Sequence, residues 1–200
     1  MDTNPPFRGI RAKYTQSTIT VYQAYSPEIA EPALRAGTFV PPFKRERMTW
    51  IKPSFLWMAY RSGWASKPRQ ERILAIEITR EGFEWTLAHS CLSNFEPGVY
   101  ADRGAWEKRK EASPVRVQWD PERDFDFRPL GYRSIQIGLS GEAVDKYVDE
   151  WIVSVTDVTV TMKSIHLALA EKRLDEAMKA LPEERPYPLP EELKRILGAT

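Results

Sequence analysis

Residues 47–64 concentrate side chains that can bind a planar, negatively charged ligand. They include three of the chain's seven Trp residues, together with one Phe, one Tyr, two Arg and one Lys. The ring of Trp57 can stack on an aromatic group, while Lys52 and Arg61 can bind an anion. Ser54 adds a small hydroxyl that can donate or accept a hydrogen bond. The composition of this segment therefore predicts one wall of a ligand pocket.

A short helix is needed to hold these side chains on one face. Pro53 favours the first helical turn, where a missing N–H has no cost, and Gly63 favours the end of the helix. Between them, Ser54, Trp57 and Arg61 recur at spacings of three and four residues and so share a face. The same pattern also fits a well-packed corner between a strand and a helix, with the aromatic side chains in the core. Both interpretations stay open at this point.

Histidine and cysteine, which often serve in nucleophilic and metal-dependent catalysis, are scarce. The chain has two histidines, His89 and His166, and one cysteine, Cys91. Neither histidine neighbours a credible Ser or Cys nucleophile, and a Cys/His metal site is not expected. The sequence also lacks a Gly-rich phosphate loop, a Gly-x-Ser-x-Gly elbow and a His-Glu-x-x-His motif. What remains is a cleft of Arg, Lys, aromatic and neutral polar groups, which suits a planar, phosphate-bearing ligand.

The charge balance gives no overall attraction to nucleic acid or to an anionic membrane. The chain has 29 Lys and Arg against 28 Asp and Glu, a net charge of +1, so any anion site must be local. A single cysteine excludes an intramolecular disulfide and agrees with a reducing compartment. No apolar run approaches the roughly 20 residues that span a bilayer, and residues 1–8 lack a signal-peptide core. We therefore expect a cytoplasmic protein with no membrane partner and no bound metal.

The predicted elements indicate an α+β fold. Five segments have the β-branched and aromatic content of strands: residues 18–25, 72–79, 115–119, 133–139 and 151–155. Short helices are predicted at residues 27–36, 53–63, 81–88, 140–147 and 191–197. A long C-terminal amphipathic helix is predicted from residue 158 to about residue 181. We expect a single domain, residues 1–200, with a split, mostly antiparallel sheet, a loose lead-in at 1–9 and an extension at 182–200.

The most distinctive sequence segments are residues 48–58 (MTWIKPSFLWM) and 60–64 (YRSGW). Together with residues 21–25, 72–76 and 156–159, they resemble the signature of a family known as domain of unknown function 4291. The resemblance covers most of the chain through about residue 181. It implies a family but no activity.

The strand at residues 20–25, the helix at 27–36 and the Gly-Thr-Phe exit at 37–39 follow in a layout similar to that of the ADP-ribosyltransferase superfamily. Those domains often begin with a strand ending in Tyr-His, and Gln23 stands here where many members have His. A late strand carries the residue that holds the nicotinamide ribose, and Gln136 stands here where many members have Glu. Both amides can hydrogen-bond ribose hydroxyls, but neither can act as a base.

This second resemblance implies an ADP-ribosyltransferase-like enzyme that binds NAD as a substrate in the cleft of a split sheet. The residues implied for NAD binding are Arg11, Tyr22, Tyr25, Lys52, Trp57 and Arg61. The residues implied for the catalytic site are Gln23, Ser54 and Gln136. One of the arginines would bind the pyrophosphate and one of the aromatic rings would stack on nicotinamide. The site would stabilise the cationic ribosyl centre and transfer ADP-ribose to a nucleic acid, a protein or a small molecule.

Two other interpretations fit the same residues. In the first, the protein is a non-catalytic module for RNA or single-stranded nucleic acid, with aromatic rings stacked on bases and Arg and Lys on phosphates. The amides of Gln23 and Gln136 argue against it, because a pure stacking surface does not need them. In the second, the Trp-rich corner is core, and the helix from residue 158 serves packing or dimerisation. The solvent exposure of Trp57 and Arg61 distinguishes between these interpretations.

Overall fold

The computed structural model describes residues 5–200 and arranges them in three sheets with helices packed around them. The strands are β1 (Arg11–Ala12), β2 (Thr18–Tyr25), β3 (Thr49–Ile51), β4 (Arg72–Thr79), β5 (Ser90–Leu92), β6 (Val115–Arg123), β7 (Pro129–Leu139), β8 (Ile152–Asp157) and β9 (Arg185–Pro186). The helices are α1 (Pro27–Ala36), α2 (Phe55–Ser62), α3 (Arg80–Ala88), α4 (Arg103–Ala112), α5 (Glu142–Lys146), α6 (Thr159–Ala170), α7 (Leu174–Ala180) and α8 (Glu191–Leu197), with a π-helical turn at Tyr147–Trp151. The α+β class and the mostly antiparallel pairing are confirmed.

One sheet has the strand order β2-β4-β8, and both pairings are antiparallel. Strands β2 and β4 pair along all eight residues, from Thr18 opposite Thr79 to Tyr25 opposite Arg72. The central strand β4 is rich in Ile and Leu, and its apolar side chains are buried on both faces because helices and the second sheet cover them.

The second sheet has the order β3-β7-β6-β5. Strands β3 and β6 pair antiparallel with β7, while the short strand β5 pairs parallel with β6. Val117 and Ile137 lie opposite each other and are buried, together with Ile51 on the edge strand. These side chains join the inward-facing residues of the first sheet in one core cluster.

The two sheets meet at one backbone bridge. The N–H of Tyr22 in β2 donates to the carbonyl oxygen of Lys52, just after β3, at 2.7 Å. The next residue of β2 is Gln23. Its side-chain amide forms hydrogen bonds with Thr49 and Trp50, in place of further backbone pairing between the sheets. The junction between the sheets is therefore held partly by side chains, which leaves room for a cavity beside it.

Helix α2 is fixed at the junction by a second core cluster. Phe55 and Met58 on α2 are buried together with Tyr22 from β2 and with Met162 and Ile165 from α6. The Ser54 hydroxyl accepts a hydrogen bond from the Trp57 N–H at 3.1 Å and caps the start of the helix. Gly63 ends it in the left-handed conformation, at φ 58°, as the sequence predicts.

The prediction of one long C-terminal helix at residues 158–181 is wrong, because this segment forms two separate short helices, α6 and α7. Lys172 adopts a left-handed backbone with φ 58°, and the Arg173 N–H donates to the Ala168 carbonyl at 2.7 Å. Ala168 and Ala177 are buried in the same cluster, and the packing of α7 against α6 offsets the hydrogen bonds that a continuous helix would make. Within residues 5–200, no helix combines the length and apolar character needed to cross a membrane.

The two ends of the described chain are joined. Strands β1 and β9 pair antiparallel, and the Tyr187 N–H donates to the Ile10 carbonyl at 2.8 Å. The Thr200 N–H donates to the Arg8 carbonyl at 3.1 Å. Arg8, in the predicted lead-in, is thus bonded to the C-terminal segment, while residues 1–4 of that lead-in lie outside the described residues.

Candidate functional site

A cavity of about 580 Å³ opens beside the junction of the two sheets, between the end of β2, the start of α1 and strand β3. Its lining is strongly basic. Among the lining residues that the structure describes, the cationic ones are Lys44, Arg47, Lys52, Arg61 and Arg69. Glu28 is the acidic residue in the same described lining. Because the cationic residues outnumber the acidic one, this space would attract an anion. We refer to it as the basic cavity.

The aromatic part of the basic cavity comes from Tyr25, Phe43 and Trp50. Phe43 is held by stacking on the buried Phe39, with ring centres 4.5 Å apart. Trp50 lies opposite Gly138 in the pairing of β3 with β7. A Cβ atom at Gly138 would come within 3.0 Å of the Trp50 ring, so the glycine leaves the space that this indole occupies. These rings are partly exposed and so are available to a planar ligand.

Gln23 forms the structural centre of the junction. It is 3 % exposed, and its amide nitrogen lies within hydrogen-bond distance of Thr49 Oγ1 at 2.7 Å and of the Trp50 carbonyl at 3.1 Å. Its carbonyl oxygen accepts from the Tyr147 hydroxyl at 2.8 Å. Burial raises the pKa of Tyr25, which also contacts this amide, to about 12, so that phenol stays protonated at neutral pH. The amide of Gln23 is therefore engaged by the protein and positions the strands around the cavity.

Lys52 lies on the floor of the basic cavity and is 4 % exposed. Its Nζ donates to Gln136 Oε1 at 2.5 Å and lies 4.3 Å from the centre of the Trp57 ring. Burial lowers the pKa of Lys52 from 10.5 to about 7, and the charge of Arg61 acts in the same direction while Asp120 partly opposes it. Near neutral pH, a large fraction of this side chain is a neutral amine.

An amide separates Lys52 from the nearest carboxylate of its network. Gln136 Nε2 donates to Asp120 Oδ2 at 2.5 Å, and Gln118 Nε2 donates to Asp120 Oδ1 at 3.0 Å. Burial raises the pKa of Asp120, while the hydrogen bond from Gln118 and the charge of Lys52 oppose the shift. Gln136 accepts from Lys52 through its amide oxygen and donates to Asp120 through its amide nitrogen. It therefore holds the amine in place without a direct ion pair between Lys52 and Asp120.

The structure brings together four of the predicted site residues. Gln23, Tyr25, Lys52 and Arg61 line the basic cavity, and Gln136 contacts it through Lys52. Arg61 is exposed at the mouth, where its guanidinium can meet an anion.

The remaining predicted site residues lie elsewhere. Trp57 is 7 % exposed, and its ring packs between Lys52 and the edge of Tyr60. Tyr22 points to the other face of β2, where it is buried against the Phe55 ring at 5.4 Å. Because successive side chains alternate along a strand, Tyr22 and Gln23 cannot face the same cavity.

Arg11 and Ser54 line a separate, smaller cavity of about 200 Å³ with Glu122 and Glu184. The Phe55 N–H donates to Glu184 Oε1 at 2.7 Å, and Arg11 Nη2 donates to the Glu184 carbonyl at 2.7 Å. Burial raises the pKa of Glu184 to about 8, with the Phe55 N–H opposing the shift and the charge of Glu122 adding to it. Burial raises the pKa of Glu122 as well.

Several residues of the basic cavity were not among the predicted site residues, although the basic run at residues 44–47 pointed to some of them. The basic run at Lys44, Arg45 and Arg47 is more often a solvated edge, but Lys44 and Arg47 line the basic cavity. Arg45 points outward and forms a bidentate ion pair with Asp149, at 2.6 and 2.7 Å. Arg69 follows α2 and carried no sequence signal of its own. Within residues 5–200, no three His, Cys, Asp or Glu side chains are grouped so that they could hold a metal ion.

Comparison with known proteins identifies the family. A comparison with curated proteins gave no match. The family described as Domain of unknown function (DUF4291) matches residues 9–187, which include the three sheets and the described lining residues of the basic cavity. This chain is therefore a member of the DUF4291 family.

Proposed function

We propose that this protein binds NAD in the basic cavity and transfers its ADP-ribose group to an acceptor, as an ADP-ribosyltransferase-like enzyme. The observation that carries the proposal is the cavity at the junction of the two sheets, in which cations, aromatic rings and a buried amine occur together. Its volume of about 580 Å³ lies in the range of sites for small molecules and cofactors, roughly 300–1,000 Å³.

The cations would bind the pyrophosphate of NAD. Arg61, Arg47 and Arg69 are exposed on the rim, and a guanidinium matches phosphate oxygens with two parallel N–H donors. Trp50 would supply the stacking surface, because its ring is only partly buried whereas Trp57 is covered. The split sheet and the NAD-binding cleft of ADP-ribosyltransferases belong to this proposal and rest on the resemblance in strand and helix order.

The reaction requires cleavage of the bond between nicotinamide and the C1′ carbon of the ribose. Nicotinamide leaves with the bonding electron pair as a neutral molecule, and C1′ gains cationic character. A nucleophilic atom of the acceptor forms the new bond to C1′ and releases its proton. Lys52, as a neutral amine near pH 7, would take up that proton, and Gln136 would act through Lys52 by holding it in position. Gln23 would position the cavity walls, since its amide is engaged by the protein.

Release of nicotinamide from NAD tests this proposal. We expect the folded protein to release nicotinamide, as measured by chromatography, in the presence of a protein or nucleic-acid extract as acceptor. Arg61→Glu should reduce the rate at least tenfold because it reverses a charge at the cavity mouth. Arg35→Glu is the matched control, since Arg35 is exposed outside the described cavity lining. Equal rates in both variants, or no release by the wild-type protein, would contradict the proposal.

Binding of single-stranded nucleic acid is the second candidate function. It is favoured by the exposed cations Lys44, Arg47 and Arg69 beside the partly exposed ring of Trp50. A stacked base contributes on the order of 1–3 kcal/mol, and phosphate contacts make binding depend on salt. Trp50→Ala should then weaken retention of an oligonucleotide, and retention should fall as the salt concentration rises. A retention that does not change with salt would rule this function out.

A further inference from the structure

Lys52 differs in its burial from three other lysines whose contacts are described. The exposed Lys67 donates to the backbone carbonyls of Tyr60 and Arg61, at 3.3 and 3.0 Å. Lys146 and Lys194 form ion pairs with Glu150 and Glu191, at 3.5 and 2.6 Å. Lys52 is buried, and among the described residues no carboxylate lies within ion-pair distance of its Nζ. Its hydrogen-bond acceptor is the neutral amide of Gln136. A buried ammonium without a carboxylate is unfavourable, so this environment favours the neutral amine.

We propose that Lys52 is a nucleophile that forms a covalent imine with the aldehyde group of a phosphate-bearing ligand in the basic cavity. This inference goes beyond ADP-ribosyl transfer, because it assigns a second chemistry and a second ligand class to the cavity. It does not require that NAD be a substrate.

The first support is the state of the amine. An ordinary lysine is protonated at neutral pH and has no free electron pair, whereas burial or a neighbouring cation activates it. Both conditions hold at Lys52: the side chain is 4 % exposed, and the charge of Arg61 acts on it. The lowered pKa of about 7 agrees with this geometry.

The second support is access. Lys52 is almost covered by protein, yet it lines a cavity large enough for a sugar phosphate or for an aromatic phosphate of similar size. The rings of Trp50 and Trp57 lie near the amine, at 5.6 and 4.3 Å from Nζ to the ring centres. Entry of a ligand would therefore bring its reactive carbon to an amine that bulk water reaches poorly.

The third support is the charge of the lining, which selects the class of ligand. Exposed Arg47, Arg61 and Arg69 suit a phosphate, and the excess of positive charge disfavours a cationic amine as ligand. An aldehyde is the partner that a neutral amine can attack without an additional activating group. A ligand that combines a phosphate with an aldehyde fits both ends of the cavity.

The chemical step is balanced without a further reagent. The electron pair of the Lys52 nitrogen forms a bond to the aldehyde carbon and gives a carbinolamine. The two hydrogens of the amine and the oxygen of the aldehyde then leave as one water molecule, and a C=N double bond remains. Neither oxidation nor reduction takes place. The hydrogen bond of Gln136 makes it the positioning residue for the amine before the attack.

Trapping with pyridoxal 5′-phosphate tests the proposal, because this probe carries an aldehyde, a phosphate and an aromatic ring. The full-length protein is incubated with a substoichiometric amount of the probe at pH 7.5, borohydride is added to reduce the imine, and the labelled lysines are mapped by peptide mass spectrometry. We expect labelling of Lys52 to exceed labelling of Lys108 and Lys163, which are exposed outside the described cavity lining, at least tenfold. Pyridoxal without phosphate should label Lys52 several times less, and excess inorganic phosphate should protect it.

Site mapping on the wild-type protein makes the result independent of whether a variant folds. Lys52→Met, checked for folding by circular dichroism, should lose the preferential label, while Lys163→Met, at an exposed lysine outside the described cavity lining, should keep it. Labelling spread over exposed lysines with Lys52 unmodified would overturn the proposal. The outcome is separate from that of nicotinamide release: a labelled Lys52 without NAD cleavage supports imine formation alone, and NAD cleavage without a labelled Lys52 leaves only the transferase proposal.

Discussion

Replacement of Lys52 by Met should change how the stability of the protein depends on pH. Met has a similar length and keeps the contact with the Trp57 ring, but it carries no charge. The pKa of Lys52 is about 7 in the folded protein, against an ordinary value of 10.5. Between these values the unfolded chain holds a proton that the folded protein has released, so the wild-type protein gains stability as the pH rises.

The size of this effect follows from the difference between the two pKa values. Each pKa unit corresponds to about 1.4 kcal/mol, so the charged Lys52 costs the folded protein about 5 kcal/mol at acidic pH. At pH 7 the cost is about 4 kcal/mol, and at pH 9 it has fallen to about 2 kcal/mol. The free energy of unfolding of the wild-type protein should therefore rise by about 2 kcal/mol between pH 7 and pH 9, relative to that of Lys52→Met.

Urea denaturation, followed by tryptophan fluorescence at pH 7, 8 and 9, provides the measurement. The comparison uses the difference between the two proteins, which removes the contribution of groups that titrate equally in both. Lys163→Met is the control, because it removes an exposed lysine outside the described cavity lining. If the wild-type and Lys52→Met proteins show the same pH dependence, Lys52 is charged at neutral pH, and its roles as base and nucleophile cannot be sustained.

Three further substitutions test other parts of the structure. Gln23→Leu should lower the free energy of unfolding, measured in urea, by about 2–4 kcal/mol because it leaves buried hydroxyl and carbonyl groups unpaired. Gln16→Leu on the surface is the control and should change it by less than about 0.5 kcal/mol. Similar losses in both variants would contradict the role of Gln23 at the junction. The pKa of Glu184 is about 8 in the folded protein, above its ordinary 4.5, so the folded protein holds a proton that the unfolded chain releases. From pH 5 to pH 8 the wild-type protein should therefore lose stability relative to Glu184→Gln, by at most about 1.4 kcal/mol per pH unit. The exposed Glu183→Gln is the control and should show no such trend. Lys172→Gly should raise the thermal midpoint and add roughly 0.5–1 kcal/mol because φ is 58° there, and a destabilised variant would show that the break between α6 and α7 has another cause.

The elements with strong local signals could be predicted from the sequence. The β-branched content of residues 18–25 and 72–79 gave β2 and β4 with the observed bounds. Gly63 ends α2 as predicted, because a left-handed C-cap depends on few neighbours. Pro53 does not lie in the first turn as predicted, because Ser54 caps the helix and Phe55 is its first residue. The α+β class follows from these elements.

Elements that depend on distant contacts could not be predicted in the same way. The apolar period continues from Met162 to Met178, so it favours one long helix. The chain instead takes a left-handed backbone at Lys172, and α7 packs against α6 in the cluster that contains Ala168 and Ala177. Helix α4 carries no apolar period, because most of its residues are charged. Its Asp102 cap and the buried Trp106, whose Nε1 donates to the Leu92 carbonyl at 2.9 Å, fix it against β5.

The candidate site was predicted in part, because one stretch supplied its floor. Lys52 and Arg61 lie in the segment that the sequence singled out, and alternation placed Gln23 on the face opposite Tyr22. The cations at Arg47 and Arg69 join them only through the tertiary fold. Trp57 shows why composition was insufficient: helical spacing put it on a face with Arg61, but burial placed its ring under Lys52 and left Trp50 as the accessible indole.

Calorimetric titration of NAD into the folded protein tests most directly whether the basic cavity is a dinucleotide site. We expect saturable binding below millimolar NAD, at least tenfold weaker in Arg61→Glu and unchanged in Arg35→Glu. Binding should also weaken at high salt because phosphate contacts are screened. An absence of binding heat at millimolar NAD, with circular dichroism showing a folded protein, would contradict this expectation.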